Sequence, residues 1–146
     1  MTKINWKEKN PLLEDKDLHL LDQLPYPLPK RYIEFLEISN GGCLKNDTFG
    51  SGSIEEFYGL FETEKGYYSI ISHNQEENLW DLFTKGLLIF ANVGNGDLIC
   101  FDYRQNPKSD NPSVVYWDHE EDEDKNVSFI AKDFDAFLSM LYADEN

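Results

Sequence analysis

The chain has only two cysteines in 146 residues, Cys43 and Cys100, well separated and in no CxxC spacing. That argues against a disulfide framework or a zinc knuckle and suits a reducing cytoplasm. Long hydrophobic runs are missing too. The longest solid apolar stretch, residues 87–91, falls far short of the ~20 residues of a membrane span, and residues 1–10 hold no apolar segment of an export signal. Neither export nor membrane insertion is expected. Cationic side chains are scarce: 13 Lys and Arg stand against 28 Asp and Glu, a formal net charge of -15. Such a surface repels phosphate backbones and anionic headgroups, so direct binding to nucleic acid or to a membrane surface is disfavoured. It favours a basic partner instead.

Motifs for familiar chemistry are also missing. There is no GxxxxGK[ST] phosphate loop, and the nearest approach to GxSxG, Gly50-Ser51-Gly52-Ser53, lacks the spacing and reads as a flexible loop. Gly94 and Gly96 begin a GxGxxG, but its third position falls on Ile99 inside a strand pattern. Laying Asp118, Glu120 and Asp122 on a calcium loop puts Glu123 where glycine must turn and Phe129 where a bidentate Glu belongs. Among His19, His73 and His119 no two have the i, i+4 spacing of a helical zinc site. No metal or cofactor is expected. Asp97 and Asp102 bracket a strand next to glycine turns, where acid–base residues collect. Each has a simpler role, however: Asp97 follows Gly96 as a turn residue, and Asp102 can pair with Arg104. The expectation is a chain that is not an enzyme.

What is present is apolar mass: 40% hydrophobic and 14% aromatic residues, enough for one core at this length. Leu18, Leu21 and Leu24 recur at three-residue intervals and predict a short helix over 15–24, stopped by Pro25, Pro27 and Pro29. Pro29 suits the first position of a second helix, with Tyr32, Phe35 and Leu36 on its inner face and Asn40, Gly41 and Gly42 as its stop. Residues 44–53 read as a turn-rich loop, 54–61 as a strand, and 67–83 as a helix with a possible break at 73–78. Three strands follow, 87–91, 98–103 and 114–117. The Asn95-Gly96 pair suggests a tight hairpin between the first two, and a longer loop over 105–112 joins the second to the third. In residues 118–124, six of seven side chains are carboxylates, which requires a solvated loop. A strand at 127–130 precedes a final helix capped by Asp133, with Phe134, Phe137, Leu138 and Leu141 at i, i+3, i+4 and i+7. The fold class predicted is α+β, a mostly antiparallel sheet with helices packed against it.

Three pieces of this pattern occur in order: Leu28-Pro29 with Tyr32, Phe35, Leu36 and Asn40-Gly41-Gly42; Ile89-Phe90-Ala91-Asn92 with Gly96-Asp97 and Asp102; and Val115-Tyr116-Trp117-Asp118-His119-Glu120. Together they resemble the SMI1/KNR4 family of the SUKH superfamily, whose pattern pairs "LPxxYxxFLxxxNGG" with "IxxAxxGxGDxxxxD" and a "VxxWDHE"-like strand end. The resemblance runs from Leu28 to Leu141. It implies a domain over 28–146, preceded by a helical extension over 1–27, with no cofactor and no catalytic activity.

Bacterial members are similar to immunity proteins, which bind and neutralise a toxin, often a nuclease, delivered by a neighbouring cell. Fungal relatives regulate cell-wall synthesis and carry long disordered flanks, so a bare domain points to the bacterial type. The alternative is a non-enzymatic regulatory or scaffold protein with an endogenous partner. A nuclease needs a cationic substrate groove, which an acidic inhibitor can occupy. By that reasoning Asp118, Glu120, Glu121, Asp122, Glu123 and Asp124 supply long-range attraction, and Trp117 or Tyr116 anchors the contact. Trp117 fits equally well as a core residue beneath the sheet, and the acidic run as a solubilising loop. Oligomeric state is left open.

Overall fold

The computed structural model describes residues 6–9, 14–50, 52–62, 69–75, 78–79, 83–123 and 125–143. The most regular part is where the sequence pattern is cleanest. Strands β6 (Leu87–Asn92), β7 (Leu98–Asp102) and β8 (Ser113–Trp117) form an antiparallel meander, extended by β9 (Val127–Ala131). On the other side of β6 lie β5 (Glu56–Phe57), β2 (Gly42–Leu44) and β1 (Trp6–Lys9), completing a seven-stranded sheet in the order β1-β2-β5-β6-β7-β8-β9. All six pairings are antiparallel. A separate pair, β3 (Thr48–Phe49) with β4 (Gly52–Ser53), forms inside the segment expected to be loop. Strands of two residues are too short to show a period of two, so the pattern could not announce them.

Helix α1 spans Lys30–Ile38 and α3 spans Phe134–Met140. Both lay aromatic stripes on one face of the sheet. Tyr32 meets Phe90, Phe101 and Phe134 edge-on at 4.8–5.6 Å, and Phe90 and Phe101 stack at 4.1 Å across β6 and β7. All of these rings are fully buried, and edge-to-face pairs add ~0.5–1.5 kcal/mol each beyond the area they bury. The Asp133 carboxylate caps α3, accepting from Ala136 N at 2.8 Å, as its position before the stripe predicted.

Several expected elements shift. Pro29 is the N-cap of α1 rather than its first residue, and the helix ends on Ser39 in extended geometry rather than on a left-handed glycine. The segment 15–24 forms a 3-10 helix over Asp15–Gln23. With three residues per turn, the interval of Leu18, Leu21 and Leu24 keeps all three on the half-buried side. Before it, residues 6–9 add an edge strand and seat Trp6 on Phe35 at 4.9 Å, so the N-terminal stretch is strand as well as helix. Of the helix expected over 67–83, the described residues show α2 (Ile70–His73), and Tyr67, Tyr68 and Leu82 lie outside the described residues, as does Ser51 of the glycine-serine loop.

Two asparagines account for breaks in the pattern. Asn74, just past α2, donates to Ile89 O at 2.9 Å and accepts from Ile89 N at 2.8 Å, so its amide replaces a strand neighbour where β5 stops. Asn40 does the same for the chain after β5, accepting from Leu60 N at 2.7 Å and donating to Phe61 O at 3.1 Å. A side-chain amide has the donor and acceptor of a peptide group, so it satisfies backbone that would otherwise be buried unpaired. This also explains why the strand expected over 54–61 shrinks to β5. Gly41 and Gly59 permit the approach: a Cβ on Gly41 would lie 2.4 Å from Gly59 N, and one on Gly59 2.5 Å from Asn40 O. Asn40, Gly41 and Gly42 therefore dock β2 against β5, a different role from ending the helix.

Candidate functional site

The β6–β7 turn and the end of β8 meet at one carboxylate. In the turn, Gly94 and Gly96 carry the positive φ angles, +85 and +103 degrees, while Asn95 does not, so the Asn95-Gly96 pair is not a two-residue hairpin turn. Asn92 and Asn95 each accept from the backbone two residues on, closing a wider loop. That shape aims Asp97 inward, where it is 6% exposed. Its Oδ2 accepts from the Tyr116 hydroxyl at 2.5 Å. Its Oδ1 accepts from His119 N at 2.9 Å and faces His119 Nδ1 at 2.6 Å. The imidazole lies directly over Gly96, where a Cβ would come within 2.9 Å of the ring.

Charge follows from this geometry. Burial alone pushes the Asp97 carboxyl up, but the hydrogen bonds from Tyr116 and from the His119 backbone and ring outweigh it and hold the group below the usual carboxylate range. The hydrogen bond to Asp97 raises the His119 pKa, helped by the charges of Glu120 and Asp118. Burial and the bond to Asp97 push the Tyr116 phenol up.

This arrangement is the root of the acidic loop. Asp118 N donates to Asn126 O at 2.8 Å, closing the loop, and Asp118 Oδ1 accepts from Glu120 N at 2.9 Å, turning the chain outward. Asp118 is half-buried, whereas Glu120, Glu121, Asp122 and Glu123 are exposed, as a run of like charges requires. Asp124 lies outside the described residues. Trp117 is not at the surface. It is 2% exposed, its Nε1 donates to Thr84 Oγ1 at 3.2 Å and its ring packs on Phe83 at 5.0 Å. Of the two places open to it, the core is the one it occupies, because Trp117 and Tyr116 alternate across β8 and Phe83 covers the Trp117 face. Tyr116 is half-buried, with its hydroxyl on Asp97.

The fold does not bring Asp97 and Asp102 together. They sit at the two ends of β7, about 17 Å apart at the rise of an extended strand. Asp102 is bound by Arg104 through Nε at 2.9 Å and Nη2 at 2.8 Å, as its spacing predicted. Burial pushes its carboxyl up, and the Arg104 bonds more than reverse this. Asp97, Asp118 and His119 hold possible ligand atoms within 4.8 Å of one another, the one such cluster among the described residues. Both Asp97 oxygens are engaged, so a cation there would have to displace His119 or Tyr116. Cys100 is buried apart from this cluster and Cys43 is half-buried; both are free thiols. Among the described residues no helix is long and apolar enough to cross a membrane.

Asp97, Tyr116 and the residues around His119 lie apart in the sequence, and only the fold makes them one unit. The available signal was that a Gly-Asp turn and a strand end rich in polar side chains flank the same pair of strands. A family model described as SMI1 / KNR4 family (SUKH-1) matches residues 18–140, which takes in α1, the β6–β7 turn and the acidic loop. No curated protein matches the chain.

Proposed function

The chain belongs to the SMI1/KNR4 (SUKH-1) family, and from that membership we propose that it is an immunity protein that binds and neutralises a cognate protein toxin. The toxin's catalytic domain is basic, most simply a nuclease with a cationic substrate groove. The observation that carries the reading is the exposed run Glu120–Glu121–Asp122–Glu123, held out from the sheet by the Asp97–His119 tie on a chain of net charge -15. Asp118 and Tyr116 stand at its base and complete the surface. Trp117 supports this surface from the core without touching the partner. Acidic side chains on a fixed loop steer a cationic partner into place and compete with the polyanion it would otherwise bind. Inhibition is by occupancy, so neither cofactor nor chemical step is involved.

Co-expressing the cognate toxin domain, with and without this chain, tests the reading. Survival only in its presence supports it. Killing that the chain does not relieve, at matched expression, removes it.

A further inference from the structure

β9 is one of the two edge strands of the sheet, and among the described residues no backbone bond reaches its far side. Because Asp118 N pairs with Asn126 O, the alternation of an antiparallel ladder turns the backbone groups of Val127 and Phe129 away from β8. Natural edge strands are protected by charge, proline or a covering segment. β9 reads Val-Ser-Phe-Ile-Ala and has none of these within it. Instead Phe129 is 69% exposed, the most exposed large apolar side chain described. Beside it lies a shallow depression of about 430 Å³, lined by Phe49, Tyr116, Asp118, Phe129, Ile130 and Met140. Met140 is also exposed, at 41%.

Resting on the reading above, we infer that the β9 edge is where the partner docks, by adding an extended basic segment as an eighth strand. Charge identifies the occupant. The acidic loop precedes β9 with Lys125 and Asn126 following it, so a segment paired along Val127–Ala131 places its cationic side chains near Asp118 and Glu120–Glu123. Lys125 and Lys132 flank the strand at its two ends, so the charge that attracts the segment is that of the loop itself. Backbone bonds supply affinity that any sequence can use, and the exposed Phe129 adds an apolar contact. A second copy of this chain is the poorer occupant, since pairing two edges brings together two bodies of charge -15.

The test uses the full chain and three fluorescein-labelled short peptides: alternating Lys–Val, alternating Glu–Val, and Lys–Val with prolines interrupting its pairing face at unchanged charge. Anisotropy is expected to show binding of the Lys–Val peptide, weakened about tenfold or more by the prolines. Phe129→Ala, which changes no charge at an exposed position, is expected to weaken it about fivefold. Equal binding of the Lys–Val and proline peptides, unaffected by Phe129→Ala, overturns the edge site and leaves the acidic-surface reading standing. Lys–Val binding no better than Glu–Val overturns both. A dimer in sedimentation that Phe129→Ala dissociates overturns the peptide assignment in favour of a second copy.

Discussion

His119 gives Asp97 two contacts at once, a backbone N–H at 2.9 Å and ring Nδ1 at 2.6 Å, across 22 positions of chain. Through them the β6–β7 turn fixes the first residues of the loop that carries the densest negative charge. The Tyr116 hydroxyl on the other carboxylate oxygen locks the end of β8 to the same point.

Removing that carboxylate takes the acceptor from the half-buried Tyr116 hydroxyl and from the His119 backbone N–H. Asp97→Ala is expected to cost about 2–4 kcal/mol in urea unfolding, the cost of orphaned polar groups. Asp97→Asn, which keeps one acceptor oxygen, is expected to cost less. Equal, near-zero losses in both variants would show that the tie is dispensable.

The pair also sets a pH window. His119 has its pKa raised above the ordinary 6.5 in the folded state, so its contribution is fully present below 6.5 and is lost as pH rises through the folded value. Asp97 and Asp102 are held below the ordinary 3.8; their contribution is present above 3.8 and is lost as pH falls through the folded values. Stability is expected to be highest between these limits and to decline on the alkaline side of the His119 titration. NMR titration of the imidazole checks this: Asp97→Asn lowers the His119 pKa, and an unchanged value contradicts the assignment.

Gly96 has φ +103 degrees and the imidazole directly over it. Gly96→Ala adds backbone strain and a clash, together about 1–3 kcal/mol, and moves the His119 resonances. Gly50, which has open space around it, serves as the control for strain alone.

Sequence made the second half of this fold legible because its signals are local: the Phe134–Leu141 stripe, the Asp133 cap and turn residues between β6, β7 and β8 need no distant partner. The first half depends on contacts between distant residues. Asn40 and Asn74 act as strand neighbours for backbone far along the chain, and no spacing rule records that. At the site, the acidic loop was readable as solvated because six carboxylates cannot share a core. The tie beneath it was not, because two short motifs on different strands meet only once the β7–β8 register is set. The edge character of β9 is a property of sheet order, which single-strand patterns do not contain.

Trp117 separates support from contact. Trp117→Ala is expected to cost about 3–5 kcal/mol of stability as a core truncation. Trp117→Phe is expected to keep both the fold and partner affinity close to wild type. A folded Trp117→Phe with affinity lost at least about a hundredfold, the signature of a hot spot, would place the indole in the interface.

The central claim is that fixed negative charge on this loop recruits a basic protein. Stopped-flow association with the proposed cognate toxin domain, across a salt series, tests it for wild type against Glu120→Gln/Glu121→Gln/Asp122→Asn/Glu123→Gln. The account predicts that the neutralised loop slows association about tenfold or more at low salt, flattens the salt dependence and leaves unfolding unchanged. Identical rates and slopes for the two chains would contradict it.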